Sequence, residues 1–384
     1  MAVGAERFSN GDHGSASTPR WTDVLVKAAD GGCRPLPTEA TGGGIMRESL
    51  RRLASEEGVE RGAGGQRRVR VELLDGDHVN IDVDRKAKGA DLLDRVCDVL
   101  DLTERDYFGL LHAQRGDPRV WIDLGRRLSK TFKNEPWDVR LAVKFYPPEP
   151  SELLDDGTRY QLALAVRRDL NEGRLTCSAL THALLASYVL QAELGDHEPG
   201  HAHALARLRA PLAARDHDLD AQVEDLYRKH KGQTPAEAEL NYLENAKKLP
   251  LYGAELHCVR DSEDVDLVLA VSAGGIAVYR DGVVLNRFPW AKITKISYNK
   301  RWYTLRLRAA ECDTAETHLS FRLNSTRAGK KLWRCSVEHH IFFRRAAPVA
   351  VDRIAGFPRL GSRRLSCRRT LRQIREPLPR EIVA

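Results

Sequence analysis

Residues 232–257 read GQTPAEAELNYLENAKKLPLYGAELH, and this stretch fixes both ends of one helix and a change of period just beyond it. Thr234 and Glu237 have the spacing of a capping box, with Pro235 at the first helical position, where its missing N–H costs nothing. Leu240, Leu243 and Ala246 recur on one helical face, Lys247 and Lys248 stand at the negative end of the dipole, and Pro250 forbids continuation. The spacing therefore predicts a helix over 235–249. From Tyr252 onward the period is no longer helical, so a helical unit ends here and a β unit begins.

The same reading extends in both directions. Downstream, 267–271, 276–279, 283–288, 293–298, 303–307 and 319–323 have strand character between glycine or charged turns, and a last helix follows over 325–343. Strands in antiparallel succession closed by one helix point to a pleckstrin-homology-like barrel. Trp290, Trp302 and Trp333 are expected to be core and barrel-corner residues rather than a ligand cage. Upstream, four helical segments at 159–170, 178–194, 219–230 and 235–249 are closed by Gly173, Gly195 and Gly232. Pro147-Pro148 separates them from an earlier unit. There Val69, Val71 and Leu73 alternate with charge, Asp75-Gly76-Asp77 turns the chain, and Val79, Ile81 and Val83 alternate again. A helix striped by Leu92, Leu93, Val96, Cys97 and Leu100 follows, then short strands at 107–111, 121–124 and 139–145, the order of a ubiquitin-like roll.

The ends differ in composition. Residues 1–66 are rich in Gly, Ser and charge without a sustained apolar period and read as a disordered leader, with at most a transient helix at 45–57. Of the formal charge of +7, residues 346–384 supply most, through nine arginines against three acids, so a basic arm follows a nearly neutral body. The seven cysteines form no C-x-x-C pair and no secretory signal precedes them, which points to a reducing, cytoplasmic setting. The most apolar run, 265–279, is interrupted by Gly274 and Gly275 and falls short of the roughly 20 residues needed to cross a bilayer.

Catalytic and metal chemistry find little support in these patterns. No G-x-S-x-G, P-loop or H-E-x-x-H arrangement is present. Cys335 lies four residues before His339 and five before His340, but a buried thiol with helix-surface histidines explains the spacing better than a nucleophile and its base. His197, His201, His203 and His217 fall in a Gly/Pro-bearing link without a carboxylate or cysteine at ligand spacing, so no metal is expected there. The chain is expected to be no enzyme and to need no cofactor.

Several motifs carry a family resemblance: DYFGL from Asp106, VKFYPPEP from Val143, GRLTCS from Gly173, ELGDHEP from Glu193, RFPWAKITKISY from Arg287 and KKLWRCSVEHHIFFR from Lys330. Together with residues 232–257 they resemble the FERM domain in its protein 4.1 branch over about 67–345. The loop at 200–215 departs from that pattern. The resemblance implies a multi-domain α+β cloverleaf: a ubiquitin-like lobe (67–147), an acyl-CoA-binding-protein-like helical lobe (148–250) and a pleckstrin-homology-like lobe (251–345). A leader (1–66) and a basic FERM-adjacent-like tail (346–384) would flank it.

It further implies an adaptor at the inner face of the plasma membrane and at cell junctions. Its partners would be cytoplasmic tails of transmembrane proteins, PDZ-type scaffolds and acidic phospholipids, phosphoinositides included. No spectrin–actin-binding segment follows in this sequence, so linkage to actin or spectrin is expected to be indirect. A signalling scaffold without actin linkage is the alternative.

The tail peptide is expected in a groove between the fifth barrel strand and the last helix, at Ile293, Lys295, Ile296, Ser297, Tyr298, Leu332 and Val337. Leu332 taken singly reads more readily as core. In the tail, Arg363, Arg364, Arg368 and Arg369 are the expected membrane contact, and Ser366 lies in an R-R-x-S setting suited to basophilic kinases. The tail lacks the interleaved aromatics of a nucleic-acid stacking platform, so no nucleic acid is expected to bind.

Overall fold

Valines alternating with arginines set the first strand, because only one face of it can enter a core. In the computed structural model, which describes residues 66–344 apart from 115, 134, 199–216 and 309–316, β1 (Gln66–Glu72) buries Val69 and Val71 and exposes Arg68 and Arg70. It pairs with β2 (His78–Asp84), and α1 (Gly89–Val99) lays Leu92, Leu93, Val96 and Cys97 into the core beside them. Next come β3 (Phe108–Gln114), β4 (Asp117–Trp121), the short α2 (Leu128–Thr131) and β5 (Asp138–Val143). The sheet order is β2-β1-β5-β3-β4 with β5 parallel to β1, the ubiquitin-like roll. The strand expected at 121–124 lies earlier, because pairing of Gln114 with Asp117 and of Leu111 with Trp121 fixes β4.

The second lobe comprises α3 (Asp156–Asn171), α4 (Ala179–Leu194), α5 (His217–Lys229) and α6 (Pro235–Ala246). Asp155 caps α3 and Ser178 caps α4. At α6 the capping box is complete: Thr234 Oγ1 accepts from the Glu237 amide at 3.3 Å, and the Glu237 carboxylate accepts from the Thr234 amide at 2.8 Å. Gly173, Gly195 and Gly232 turn the chain at φ values of 71°, 76° and 83°. Helix α6 ends sooner than its leucine spacing implies, because its last turn tightens through Lys248 N to Asn245 O and Leu249 N to Ala246 O.

The third lobe is an antiparallel sheet of β6 (Glu255–Arg260), β7 (Asp266–Ser272), β8 (Gly275–Arg280), β9 (Val283–Pro289), β10 (Ile293–Asn299), β11 (Trp302–Leu307) and β12 (Thr317–Arg322). Its order is β10-β11-β12-β6-β7-β8-β9, and α7 (Thr326–Arg344) closes it, laying Leu332 and Cys335 over Leu269, Val271, Tyr303 and Leu305. Trp290 is core, as expected. Trp302 is not: it is 45% exposed, on the face of β11 opposite the buried Tyr303.

The two proline joints meet in space. Tyr146, just before Pro147, donates its hydroxyl to Asp169 Oδ2 of α3 at 2.6 Å, and its ring meets Tyr252 edge-on at 5.4 Å. Tyr252 in turn donates to the Pro147 carbonyl at 3.2 Å. From the barrel, Tyr279 donates to the Pro250 carbonyl at 3.4 Å. Lys247 closes the joint electrostatically, 2.5 Å from Glu149 and 2.7 Å from Glu244. One apolar core runs through this crossing, from Val69 and Phe145 through Leu162 and Leu243 to Leu251 and Tyr279.

Gly253 makes the crossing possible: its φ is +60°, and a Cβ there would lie 2.3 Å from Tyr146 Cβ. Gly253→Ala is expected to lower unfolding stability by about 3 kcal/mol, the sum of a left-handed backbone penalty and overpacking. Gly195→Ala, at a φ of +76° with nothing nearby, should cost only about 1 kcal/mol. Urea denaturation of the two variants checks this; equal losses would mean that backbone conformation alone, not the tyrosine contact, sets the requirement at Gly253.

Candidate peptide-docking edge on the third lobe

Helix α7 is covered by different partners on different flanks. Beneath it, Leu332, Cys335 and Ser336 enter the barrel, and Tyr303 donates its hydroxyl to Ser336 Oγ at 2.8 Å while Ser336 donates to Leu332 O at 2.9 Å. Gly329 allows the close approach, since a Cβ there would sit 2.7 Å from the Lys300 carbonyl in the β10–β11 turn. Toward the first lobe, Lys331 pairs with Asp117 at 2.9 Å, Arg334 with Asp123 at 3.4 Å and Glu338 with the buried Lys144 at 2.7 Å. Burial would raise the Glu338 carboxyl, but Lys144 and Arg334 hold it below the ordinary carboxylate range. Phe342 stacks on Phe145 at 4.2 Å and meets Tyr107 edge-on at 5.5 Å.

The remaining flank faces β10. That strand is bonded to β11 on one side only and is an edge of the sheet. The indole N–H of Trp333 donates to the Ile296 carbonyl at 3.3 Å, which shows that this carbonyl points away from β11. Antiparallel strands alternate, so Ile296 and Tyr298 direct their main-chain groups to the open edge, while Lys295, Ser297 and Asn299 direct theirs into the ladder. Trp333 and Tyr298 lie ring to ring at 5.1 Å. Farther along, His340 meets Trp290 edge-on at 5.6 Å and Arg344 donates to the Trp290 carbonyl at 2.8 Å.

The residues named from sequence divide accordingly. Ile293 is 5% exposed and Leu332 fully buried, so these two form the floor of the barrel and not a contact surface. Ile296 is half-buried against the barrel core, Ser297 and Tyr298 are half-buried, and Lys295 is exposed. Val337 is half-buried on α7, one turn from Trp333. Trp333, read as core from sequence, is half-buried and stands at the edge itself; its position four residues before Val337 was the available signal. Arg363, Arg364, Ser366, Arg368 and Arg369 lie outside the described residues, as do the leader and His201 and His203.

The Cys335 and His339 pair differs from the sequence expectation in one respect. His339 is 2% exposed, not on the helix surface, because the first lobe covers that flank and Phe145 meets its ring at 5.1 Å. Its Nδ1 lies 2.9 Å from the Cys335 carbonyl and 3.6 Å from the sulfur, and burial pushes both the imidazole down and the thiol up. With Nδ1–H donated to the carbonyl, that nitrogen has no lone pair for the thiol.

Comparison with known proteins agrees with this architecture. The FERM N-terminal domain matches residues 71–134, the FERM central domain 148–257 and the FERM C-terminal PH-like domain 261–350. Protein 4.1 homolog of Drosophila melanogaster is 48% identical over 77% of this chain, and human Protein 4.1 is 42% identical over 80%. The chain spans 17% of the former and 36% of the latter. The complex of the FERM and C-terminal domains of Drosophila Merlin superposes with a TM-score of 0.65 at 22% identity, covering 72% of this chain and 96% of that one. The C-terminal MyTH4-FERM domain of human Myosin 7b, in complex with the harmonin-a PDZ3 domain, gives 0.51 at 16% identity over 72% of this chain and 60% of its own. These two share the fold. With all three domains matched in order and this degree of identity, the chain belongs to the FERM family, and its sequence kinship lies with the protein 4.1 members.

Proposed function

We propose that this protein is a membrane–cytoskeleton adaptor that captures cytoplasmic tails of transmembrane proteins by strand addition at β10. The observation that supports this is a sheet edge whose outward main-chain groups, at Ile296 and Tyr298, lie beside an apolar wall of Trp333 and Val337 on α7. An extended peptide gains affinity there from main-chain hydrogen bonds and specificity from side chains packed on the wall. Trp333 already satisfies one carbonyl, a bond worth about 1 kcal/mol, so an incoming strand either displaces the indole or pairs beyond it at Tyr298. PDZ-type scaffolds are a second partner class, consistent with the Myosin 7b relative in complex with a PDZ domain. The protein would act at the inner face of the plasma membrane and at junctions. Among the described residues no helix is long and apolar enough to cross a membrane.

The arginine-rich tail would add an electrostatic contact to acidic phospholipids through Arg363, Arg364, Arg368 and Arg369. Phosphate on Ser366 would place about −1.5 to −2 charges among them. Each surface arginine contributes roughly 1 kcal/mol at an anionic membrane, so cancelling two should weaken attachment tenfold or more.

Two measurements test this reading. In fluorescence anisotropy with labelled cytoplasmic-tail peptides, Tyr298→Pro, which deletes an outward N–H without breaking the ladder, should bind at least tenfold more weakly than Tyr298→Ala. Equal affinity of the two variants would exclude main-chain pairing at this edge. In vesicle sedimentation, a chain ending at Arg345 should lose most binding to anionic vesicles and Ser366→Glu part of it; undiminished binding by the shortened chain would remove the tail from the membrane contact.

A further inference from the structure

Beneath α7, at the seam with the first lobe, three side chains from two elements converge. Glu255 and His257 stand on the same face of β6, and Cys335 descends from α7; their ligating atoms all lie within 4.8 Å of one another. Glu255 Oε1 and His257 Nε2 are 3.7 Å apart, a few tenths of an ångström wider than the edge of about 3.3–3.4 Å of a tetrahedron drawn around a zinc ion with N and O bonds of about 2.0–2.1 Å. The sulfur lies within 4.8 Å of both atoms, so a shift on the order of 1 Å completes the set.

The cluster has features that packing alone does not account for. His257 is 8% exposed, yet its Nε2 is buried without a hydrogen-bond partner and aimed at the other two groups. Such an orphaned ring nitrogen is costly in an interior. The other oxygen of Glu255, Oε2, accepts from the indole N–H of Trp121 in the first lobe at 2.8 Å, which orients the carboxylate as outer partners orient metal ligands. The nearby cations are neutralised, Lys331 by Asp117 and Lys144 by Glu338, so they do not oppose a metal ion.

We propose that Glu255, His257 and Cys335 form a zinc site that fastens β6 to α7. The ligands suit this ion: imidazole, carboxylate and thiolate are its ordinary donors, and one carboxylate with one thiolate cancels its charge in a buried place. Binding expels the Cys335 thiol proton to solvent as the sulfur–metal bond forms, and water fills the fourth position. Since Glu255 also holds Trp121, the ion would tie the first lobe to the third and stiffen the helix that walls the β10 edge.

The site is tested on the full chain after chelator treatment, with Co²⁺ as a spectroscopic stand-in for Zn²⁺. One equivalent of Co²⁺ should give thiolate-to-metal charge-transfer absorption that added Zn²⁺ abolishes. The absorption should vanish in Cys335→Ser and persist in His78→Gln, which removes an exposed histidine of β2 instead. In parallel, Zn²⁺ at a hundredfold excess over its Kd should raise the melting temperature by about 5 °C, and Mg²⁺ should not. Cys335→Ser should abolish the rise, and if that variant fails to fold, His257→Gln is read in the same way. Absence of the charge-transfer band, a band that survives Cys335→Ser, or equal stabilisation by Zn²⁺ of wild type and variant would overturn the assignment.

Discussion

Lys144 and Glu338 meet at 2.7 Å in the seam between the first and third lobes, and around this contact the architecture is arranged. Taking both charges out of water is costly, and the pair itself adds little net stability. Removing Glu338 would leave Lys144 buried and unpaired, at a cost of about 3–5 kcal/mol, whereas Glu338 keeps Arg334 at 3.1 Å. The pair's value lies in position. Phe145, the next residue in the chain, stacks on Phe342 of the same helix at 4.2 Å, and the two contacts together fix the rotation and height of α7 against the first lobe. With the helix so fixed, its opposite flank presents Trp333 and Val337 along β10, and the geometry of the proposed peptide edge becomes a property of the three-lobed body.

The proline joints contribute the second constraint. Pro147-Pro148 and Pro250 would suit independent beads, but Tyr146, Tyr252 and Gly253 pack the two joints on each other, and Tyr279 binds the second joint to the barrel. Hydrogen bonds from tyrosine hydroxyls to main-chain carbonyls give that crossing a direction as well as an area. The core that runs through it joins lobes whose sheets have different hydrogen-bond plans. Relative motion of the lobes would have to break an apolar core, which is why an edge on one lobe keeps its geometry.

Much of this was legible in the chain because it depends on local chemistry. The Thr234–Glu237 box and the glycine turns act within a few residues, and strand periods show through alternation. What was not legible depends on which flank of an element another lobe covers. Cys335 read as a buried thiol and His339 as a helix-surface histidine, but the first lobe buries His339. Trp302 and Trp333 look alike as aromatic residues of a barrel, yet one stands on the outer face of β11 and the other leans over the edge strand to bond Ile296. Ile293 and Leu332 have the right order for a groove and the wrong depth. Glu255, His257 and Cys335 come from elements far apart in the chain, so no spacing rule could join them.

The central claim is that tail peptides add to the outer edge of β10 beside α7. Amide hydrogen exchange, followed residue by residue with and without a saturating cytoplasmic-tail peptide, tests it most directly, since strand addition must protect outward amides that the ladder leaves open. The account expects new protection at Ile296 and Tyr298, with little change at Lys295 and Ser297, whose amides already pair with β11. Protection that appears on the first or second lobe while β10 exchanges as before would contradict it.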